Sequence, residues 1–435
     1  MNIIILGAGL SGISLAYFMQ NSDQVNSITI LEKDDSTGGL CRSIQYKGYT
    51  YDIGPHILFS QDKEMLNLML SVLDERNDLM RSNQIIYKDR WIQYPFENDL
   101  SKLPEAELNY CITAFNNNPY ESYNAENMLQ FFLRTFGEGI TNTYLRPYNE
   151  KIWKYDPSFM NTSMVDRIPK PTDEEIRRSA SGETIDGYLH QLYFSYPSYG
   201  GIEAVVRGFE KRLGNKCRIY LNCPVSHVEK NDKHYSVTAG GTVYTGDLVV
   251  STIPIHDLVR SVDGTENIQS NVNDLRYNSI MIFFVKTKKD LCGDNFAFMV
   301  PDKDIIFHRI SKMDFLGKAY KSEGATYMVE VTYRENDRYD HMTDYELIDA
   351  VKQGVCDIHF AESMGDVEVV NLTRHKYAYV IYDLNHKNNM TQIRSFFDQH
   401  GIILNGRFGN FEYWNMDRII RESKNVSEKI LGQFA

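Results

Sequence analysis

The sequence predicts an α/β protein that combines a parallel sheet, a helical insertion and an antiparallel sheet. An apolar run at residues 2–6 leads into a glycine-rich turn and then a helical stretch, the order of a βα unit. Residues 100–190 are mostly polar, aromatic and compatible with helices. Strand-like runs return from residue 218 and continue beyond residue 279. We therefore expect a parallel sheet interrupted by long insertions, with the later strands in a sheet of their own.

The first turn has a glycine spacing that is typical of dinucleotide binding. Gly7, Gly9 and Gly12 form G-x-G-x-x-G directly after the first strand. The first glycine permits a tight turn, the second lets the backbone approach a pyrophosphate, and the third lets helix and strand pack closely. The helix that follows, with Leu10 and Ser11, offers unpaired N–H groups and its positive dipole end to phosphates. The alternative is a merely tight strand-to-helix turn.

The second predicted strand ends in an acidic residue. Glu32 follows the glycine turn by about 20 residues, the distance at which a carboxylate accepts hydrogen bonds from ribose hydroxyls. Beyond it, a glycine pair at Gly38 and Gly39 is followed by Arg42. This extension resembles the flavoprotein superfamily of amine oxidases, protoporphyrinogen oxidases and sugar-nucleotide mutases. The resemblance implies a Rossmann-type FAD-binding domain, although a solvated surface arginine is the alternative for Arg42.

Further segments narrow the resemblance. Residues 51–60, 91–98, 146–153, 196–201 and 406–417 resemble, in the same order, segments of UDP-galactopyranose mutases, particularly of the eukaryotic type. Ordered matches along the whole chain are much harder to obtain by chance than one motif. The resemblance implies a flavin-dependent mutase that interconverts the pyranose and furanose forms of UDP-galactopyranose or a related sugar nucleotide. In that family N5 of the reduced flavin is the nucleophile, and NAD(P)H is a candidate external reductant.

The same resemblance implies residue roles. His56 would lie under the flavin, and Arg167 and Arg309 would clamp the substrate diphosphate, which charge-assisted bidentate contacts suit. The alternative for each is a structural or surface residue. The implied substrate-binding residues are Tyr94, Glu97, Asn149, Trp153, Gln191, Tyr379, Tyr413 and Asn415. The residues assigned to FAD are Gly7, Gly9, Leu10, Ser11, Gly12, Glu32, Lys33, Gly39, Leu40, Arg42, Pro55, His56, Val228, Gly406, Arg407, Asn415 and Met416.

Two positions depart from the family pattern. Glu97 stands where the eukaryotic members tend to carry glutamine, and a carboxylate only accepts hydrogen bonds. Such a group would face repulsion from the carbonyls of uracil, whereas the amino group of guanine or cytosine would suit it. We therefore hypothesise that the natural substrate carries a base other than uracil. Gln191 stands where a sugar-contacting asparagine is expected, so the identity of the sugar stays open.

Two competing functions share the FAD motifs. One is an oxidase or desaturase of the amine oxidase class, which takes a hydride from its substrate and needs an apolar cavity. The other is a flavin-containing binding or scaffold protein without turnover. Reaction of the reduced cofactor with a nucleotide sugar would separate the mutase from both.

Composition limits the remaining function classes. The formal net charge of -12 argues against a nucleic-acid surface, so any anion site must come from specific arginines. The six cysteines are scattered and predict neither a metal site nor a redox pair, which suits the cytoplasm. The run at residues 280–285 is too short to span a bilayer, and the start of the chain lacks the pattern of a signal peptide. Self-association into a homo-oligomer is left open.

The order of these segments suggests interleaved domains. We expect the FAD-binding Rossmann domain to be discontinuous, with residues 1–80, 200–262 and 400–435. Residues 98–190 would form the helical substrate domain, and residues 82–96 and 265–398 the antiparallel sheet domain.

Overall fold

The structure is a computed structural model that describes residues 1–167, 170–183, 185, 192–232 and 234–433, with the backbone alone for residues 166, 167 and 433. Gln191, assigned above to the substrate, lies outside the described residues. Within these ranges, no helix has the length and apolar character needed to cross a membrane.

A parallel sheet lies at the centre of the fold. Its strands are β1 (Asn2–Leu6), β2 (Ser27–Leu31), β9 (Cys217–Tyr220), β13 (Leu248–Ser251) and β19 (Ile402–Leu404), in the order β19-β13-β1-β2-β9. All neighbours pair in parallel, so the carboxyl ends of the strands meet at one edge. Central β1 is apolar and buried from Ile3 to Leu6 because both of its faces are covered. The chain returns to this sheet with its last strand, β19, which pairs in parallel with β13.

Helices cover the parallel sheet and fill the segment between its second and third strands along the chain. The helix at Leu10–Met19 packs against those at Met416–Gln433 and Glu203–Glu210. The remaining helices lie at Lys63–Ser71, Glu105–Asn116, Met128–Ile140, Arg146–Trp153, Asp173–Ala180, Ile255–Leu258, Gln269–Asp274, Asp344–Asp357 and His386–His400. The α/β class predicted from the sequence is confirmed.

A second large sheet contains most of the later strands. They are β6 (Asn83–Tyr87), β7 (Arg90–Gln93), β14 (Arg276–Thr287), β15 (Ala297–Met299), β16 (Arg309–Lys312), β17 (Ala325–Tyr333) and β18 (Val367–Ile381). Their order is β18-β14-β17-β16-β15-β6-β7. The predicted antiparallel sheet is confirmed except for one pair, because β15 and β6 run parallel.

The strand β18 extends well beyond residues 367–372, the part of it that has a strand-like sequence. Its middle carries exposed Arg374 and Lys376, so the apolar pattern stops there. Burial resumes at Tyr377 and continues to Ile381, where the strand borders the parallel-sheet region. Smaller sheets join β3 (Ser43–Tyr46) with β4 (Tyr49–Asp52), β5 (Arg76–Met80) with β8 (Tyr193–Pro197), and β10 (Val225–Asn231) with β11 (His234–Ala239) and β12 (Thr242–Gly246).

Candidate active site

A cavity of about 1150 Å³ extends from the carboxyl ends of β1 and β2 to the seven-stranded sheet. Gly7 and Gly9 line one end, and Arg309 of β16 and Tyr379 of β18 line the other. Pockets for one drug-sized ligand usually measure about 300–1000 Å³. The cavity therefore has room for a dinucleotide and a second ligand.

The glycine turn has the geometry that the motif predicts. Gly7 has a φ of 97°, in the region that favours glycine. A Cβ on Gly12 would lie 2.1 Å from the carbonyl oxygen of Gly7, so helix and strand pack as closely here as glycine allows. A Cβ on Gly9 would have no neighbour closer than the Cα of Gly39 at 3.9 Å, because Gly9 borders the open cavity.

Glu32 borders the same end of the cavity. Its Oε2 atom accepts a hydrogen bond from the backbone N–H of Ala8 at 2.8 Å, and its Oε1 atom accepts one from Asp34 at 3.0 Å. These bonds fix the buried carboxylate beside the turn, and each oxygen retains a lone pair for a further donor. Ribose hydroxyls are donors of this kind.

Arg42 braces the second glycine turn. Its Nε atom donates to the carbonyl oxygen of Gly39 at 3.2 Å, and its guanidinium forms an ion pair with Asp34 at 3.1 Å. The side chain is 26% exposed and lines the cavity. Arg42 is therefore held in place rather than moving freely in solvent.

His56 is half-buried and lines the cavity. Burial and the nearby guanidinium groups of Arg407 and Arg309 lower the pKa of its imidazole to about 4. The ring is therefore neutral near pH 7, with one nitrogen that donates and one that accepts. Its Nδ1 atom is buried without a hydrogen-bond partner in the structure. A bound molecule could supply that partner.

Arg309 is held by a carboxylate on the neighbouring strand. Arg309 of β16 and Glu330 of β17 are directly opposite in the antiparallel register. The Nη2 atom of Arg309 donates to Oε2 of Glu330 at 2.7 Å and to the Tyr379 hydroxyl at 3.4 Å, while its Nε donates to Oε1 of Glu330. Burial alone would lower the pKa of the guanidinium, but the Glu330 carboxylate outweighs it and holds the pKa well above its usual range.

An aromatic cluster adjoins this pair. The rings of Tyr379 and Tyr413 stack at 5.9 Å, and Trp153 meets both edge-on at 5.8 and 5.7 Å. The Nε1 atom of Trp153 donates to Oδ1 of Asn149 at 2.8 Å. The guanidinium of Arg407 lies 4.2 Å from the centre of the Tyr413 ring, a cation–π contact. The predicted residues of this group thus lie together near Arg309, with Tyr379 and Tyr413 in the cavity lining and Trp153 and Asn149 outside it.

The helix that begins at Met416 points its N-terminus at the cavity. Asn415, Met416 and Asp417 line it, and the Ser60 hydroxyl donates to a carboxylate oxygen of Asp417. Arg407 donates to the carbonyl oxygens of Trp414 at 3.1 Å and Ala378 at 2.7 Å. A helix N-terminus and a guanidinium both stabilise negative charge beside them.

The sequence analysis missed Arg81, which also lines the cavity. Its guanidinium carbon lies 4.8 Å from the centre of the Phe59 ring, and its Nε and Nη2 atoms are buried without a hydrogen-bond partner. No motif marks this residue in the sequence, since a lone arginine before a strand is usually a surface residue.

Glu97 is buried, and it lies outside the cavity lining. Its side chain is 1% exposed, and its Oε1 atom has no hydrogen-bond partner. Burial raises the pKa of the carboxyl to about 7. Near neutral pH an appreciable fraction of Glu97 therefore carries a proton and can donate as well as accept, which weakens the argument against uracil.

Glu97→Gln is expected to raise the free energy of unfolding above that of wild type. The gain should be larger at about pH 8 than at about pH 4.5, by about 3 kcal/mol. The carboxyl has a pKa of about 7 in the folded state against an ordinary value of 4.5. Between these values the folded state binds more protons than the unfolded state, so wild-type stability falls as the pH rises through this window. Urea unfolding at both pH values measures the difference.

The matched control is Glu105→Gln, which removes an exposed carboxyl and should give no such pH-dependent difference. A Glu97→Gln effect of equal size at both pH values would contradict the raised pKa.

Other predicted residues lie at varying distances from the cavity. Lys33, Leu40, Pro55 and Tyr94 line it. The side chain of Arg167 lies outside the described residues, although its backbone ends the short helix Thr162–Arg167. Outside the lining are Gly12, Glu97, Asn149, Trp153, Val228 and Gly406, and their roles remain predictions.

The residues present fit a dinucleotide cofactor. The helix that starts at Leu10 has no side-chain cap, so its first N–H groups are available to phosphates. The Nε atom of Arg407, like Nδ1 of His56, is buried without a partner. Among the described residues, no group of three or more histidine, cysteine or acidic side chains could hold a metal ion, and all six cysteines are free thiols.

Comparison with known proteins supports the fold. The chain resembles a reduced UDP-galactopyranose mutase at 24% identity with a TM-score of 0.90, over 99% of this chain and 96% of that chain. It resembles a CLA-producing fatty acid isomerase from P. acnes at 13% identity with a TM-score of 0.68, over 98% of each chain. At these identities the likeness shows the shared fold.

Sequence comparison gives a family. An L-amino-acid oxidase of Sistrurus catenatus edwardsii is 21% identical over 249 residues, 54% of this chain and 46% of the oxidase. The matched region thus spans about half the length of that relative. The model of the flavin containing amine oxidoreductase family matches residues 10–399, most of the chain. FAD is the cofactor that this family and the mutase fold imply, and the superfamily predicted from the sequence is confirmed. The protein belongs to the flavin containing amine oxidoreductase family.

Proposed function

We propose that the protein interconverts the pyranose and furanose forms of a nucleotide-diphosphate sugar and uses reduced FAD to do so. The observation that carries this proposal is a single cavity that contains Arg309, Tyr379 and His56 as well as the glycine turn. A fixed guanidinium and phenol hydroxyls suit the oxygens of a diphosphate. The extensive likeness to a mutase fold supports the same conclusion.

When bound and reduced, the flavin would supply the nucleophile, its N5 atom, for the anomeric carbon of the sugar. The side chains of the protein would bind the departing nucleoside diphosphate, orient the sugar and exclude water. Arg309 suits the first task because its raised pKa keeps it charged at every physiological pH. Burial and Glu330 raise the pKa of the Tyr379 hydroxyl well above its usual range, so this hydroxyl stays protonated and can donate.

His56 and Arg407 would favour the reduced cofactor. The neutral imidazole of His56 can hold a proton at one ring nitrogen and accept a hydrogen bond at the other. Arg407 and the helix that begins at Met416 add positive potential on the same side of the cavity. Negative charge on a reduced flavin would be stabilised by both.

Further substrate contacts are part of the proposal. Arg167 would be the second guanidinium of the diphosphate clamp, and Gln191 would contact the sugar. Tyr94, which lines the cavity, would stack on the nucleobase. Glu97 would influence which base is accepted, either uracil or a base with an amino group. The proposal also includes NAD(P)H as the external reductant and a role in polysaccharide biosynthesis. It further includes a cytoplasmic location and self-association.

The alternative function is an FAD-dependent oxidase or desaturase. The similarity to an L-amino-acid oxidase and the match to the flavin containing amine oxidoreductase family favour it. In an oxidase, the oxidised flavin would take a hydride from the substrate. Against it stands the polar lining at the end of the cavity, where Arg81, Arg309 and Tyr379 meet.

The experiment uses FAD-loaded protein with UDP-, GDP- and CDP-linked hexoses. Protein reduced with dithionite should convert the pyranose form of at least one of them into its furanose form, and oxidised protein should not. Chromatography of the nucleotide sugars measures the conversion, and peroxide production from L-amino acids is followed in parallel. Peroxide production without any conversion of a nucleotide sugar would contradict the mutase function and support the oxidase function.

A further inference from the structure

Arg81 is half-buried, and no carboxylate of the described residues pairs with its charge. Its main electrostatic neighbours are Tyr94 and Arg309, and neither is a carboxylate. Within the described ranges no acidic side chain forms an ion pair with it, and its Nε and Nη2 atoms lack hydrogen-bond partners. A buried cation without a counter-ion is costly in a folded protein. Such groups are retained mainly where a ligand supplies the missing charge.

The contrast with Arg309 sharpens this point. The Glu330 carboxylate forms a bidentate pair with Arg309 and offsets its charge. Arg81 has no equivalent, so of these two neighbouring guanidinium groups it contributes the uncompensated positive charge. The Phe59 ring against its guanidinium leaves the edge of the fork free for a ligand.

Asn83 adds an acceptor next to this donor. It lies two residues further along the chain, at the start of β6, and it also lines the cavity. Its Oδ1 atom is buried without a hydrogen-bond partner. A ligand that satisfies both residues presents an oxyanion and a hydrogen-bond donor, and in a nucleoside diphosphate the hydroxyls are such donors.

We infer that Arg81 and Asn83 form a subsite for a phosphate oxyanion and an adjacent alcohol hydroxyl of the nucleoside diphosphate. This inference rests on the proposed function and adds a guanidinium to the clamp that the sequence indicates. The position favours the nucleotide over the sugar. Arg81 and Tyr94, the residue proposed to stack on the nucleobase, are electrostatic neighbours of each other and of Arg309, whereas Arg81 is not among the main charged neighbours of His56. Arg81 therefore faces the base side of the diphosphate.

The test is isothermal titration of reduced, FAD-loaded protein with inorganic pyrophosphate, UDP, GDP, CDP and uridine. Arg81→Met should weaken binding of pyrophosphate and of the accepted nucleoside diphosphate about 10- to 100-fold and leave uridine binding unchanged. Arg81→Lys should recover part of the loss, because lysine keeps the charge without the planar fork. Asn83→Ala should weaken the nucleoside diphosphate about 5-fold and leave pyrophosphate, which has no alcohol hydroxyl, unchanged.

The matched control is Arg76→Met, which removes an exposed arginine that pairs with Asp78 on β5. It should bind every probe as wild type does. The inference would be overturned if Arg81→Met bound pyrophosphate with wild-type affinity. It would also be overturned if the variant lost as much affinity for uridine as for pyrophosphate. Weaker binding of pyrophosphate by Asn83→Ala would overturn the assignment of Asn83 to a hydroxyl group.

The outcomes separate this inference from the proposed function. Conversion of a nucleotide sugar by wild type, together with unchanged binding by Arg81→Met, would defeat the subsite alone. Failure of reduced wild type to bind pyrophosphate or any nucleoside diphosphate would defeat both.

Discussion

Arg309→Met is expected to lower kcat/KM for nucleotide-sugar conversion by about 100- to 1000-fold, the cost of losing one preorganised donor to developing negative charge. Arg309 is fixed by Glu330 before substrate arrives, and the Tyr379 hydroxyl is 3.4 Å from its Nη2 atom. Without the guanidinium, the departing diphosphate loses a charged, oriented partner. Steady-state assays of the reduced enzyme, with FAD content measured beside them, give the result.

The variant has a second expected effect, which must be separated from the first. Glu330 is 0% exposed, so removal of Arg309 leaves a buried carboxylate unpaired at a cost of about 3 kcal/mol of folding free energy. The double variant Arg309→Met with Glu330→Gln removes both charges. It should recover most of the stability and none of the activity. Recovery of activity would show that Arg309 acts by structure alone.

Gly12→Ala is expected to prevent FAD binding and to destabilise the protein by at least about 3 kcal/mol, at the upper end of overpacking effects. The added Cβ would lie 2.1 Å from the Gly7 carbonyl oxygen and 3.2 Å from Cγ2 of Ile5. Backbone must therefore move in the turn that faces the cofactor. Flavin absorbance per protein and thermal unfolding of the purified variant measure both effects.

Two other glycines provide matched controls. Gly9→Ala should fold normally and lose most of its FAD, because its Cβ meets no protein atom within 3.9 Å but borders the cavity. Gly432→Ala lies in an exposed part of the last helix with nothing near the added Cβ, so it should keep FAD and gain up to about 1 kcal/mol. Normal flavin content in Gly12→Ala would contradict the close packing of the turn.

Local patterns predicted the parts of the fold that depend on neighbouring residues. The spacing of Gly7, Gly9 and Gly12 after an apolar strand, with Glu32 further on, is a short-range signal whose geometry the structure reproduces. The class of the later sheet was also predictable from its strand-like runs. The end of β18 was not, because exposed Arg374 and Lys376 interrupt the apolar pattern.

Contacts between distant segments explain what the sequence could not reveal. The register of β16 and β17 places Glu330 opposite Arg309. No sequence motif indicates this register. Arg81 has Phe59, Tyr94 and Arg309 as neighbours in the folded chain, and none of these is a carboxylate. Val228, which the sequence assigns to FAD, lies outside the cavity lining, whereas Val225 of the same strand lines it, so the role of Val228 stays a prediction.

The most direct test of the account is the fate of a nucleotide-linked hexopyranose mixed with FAD-loaded protein in its two redox states. Dithionite-reduced protein is expected to form the furanose isomer without net oxidation, and oxidised protein is expected to leave the sugar unchanged. Failure of the reduced protein to convert any UDP-, GDP- or CDP-linked sugar, with its flavin bound and intact, would contradict it.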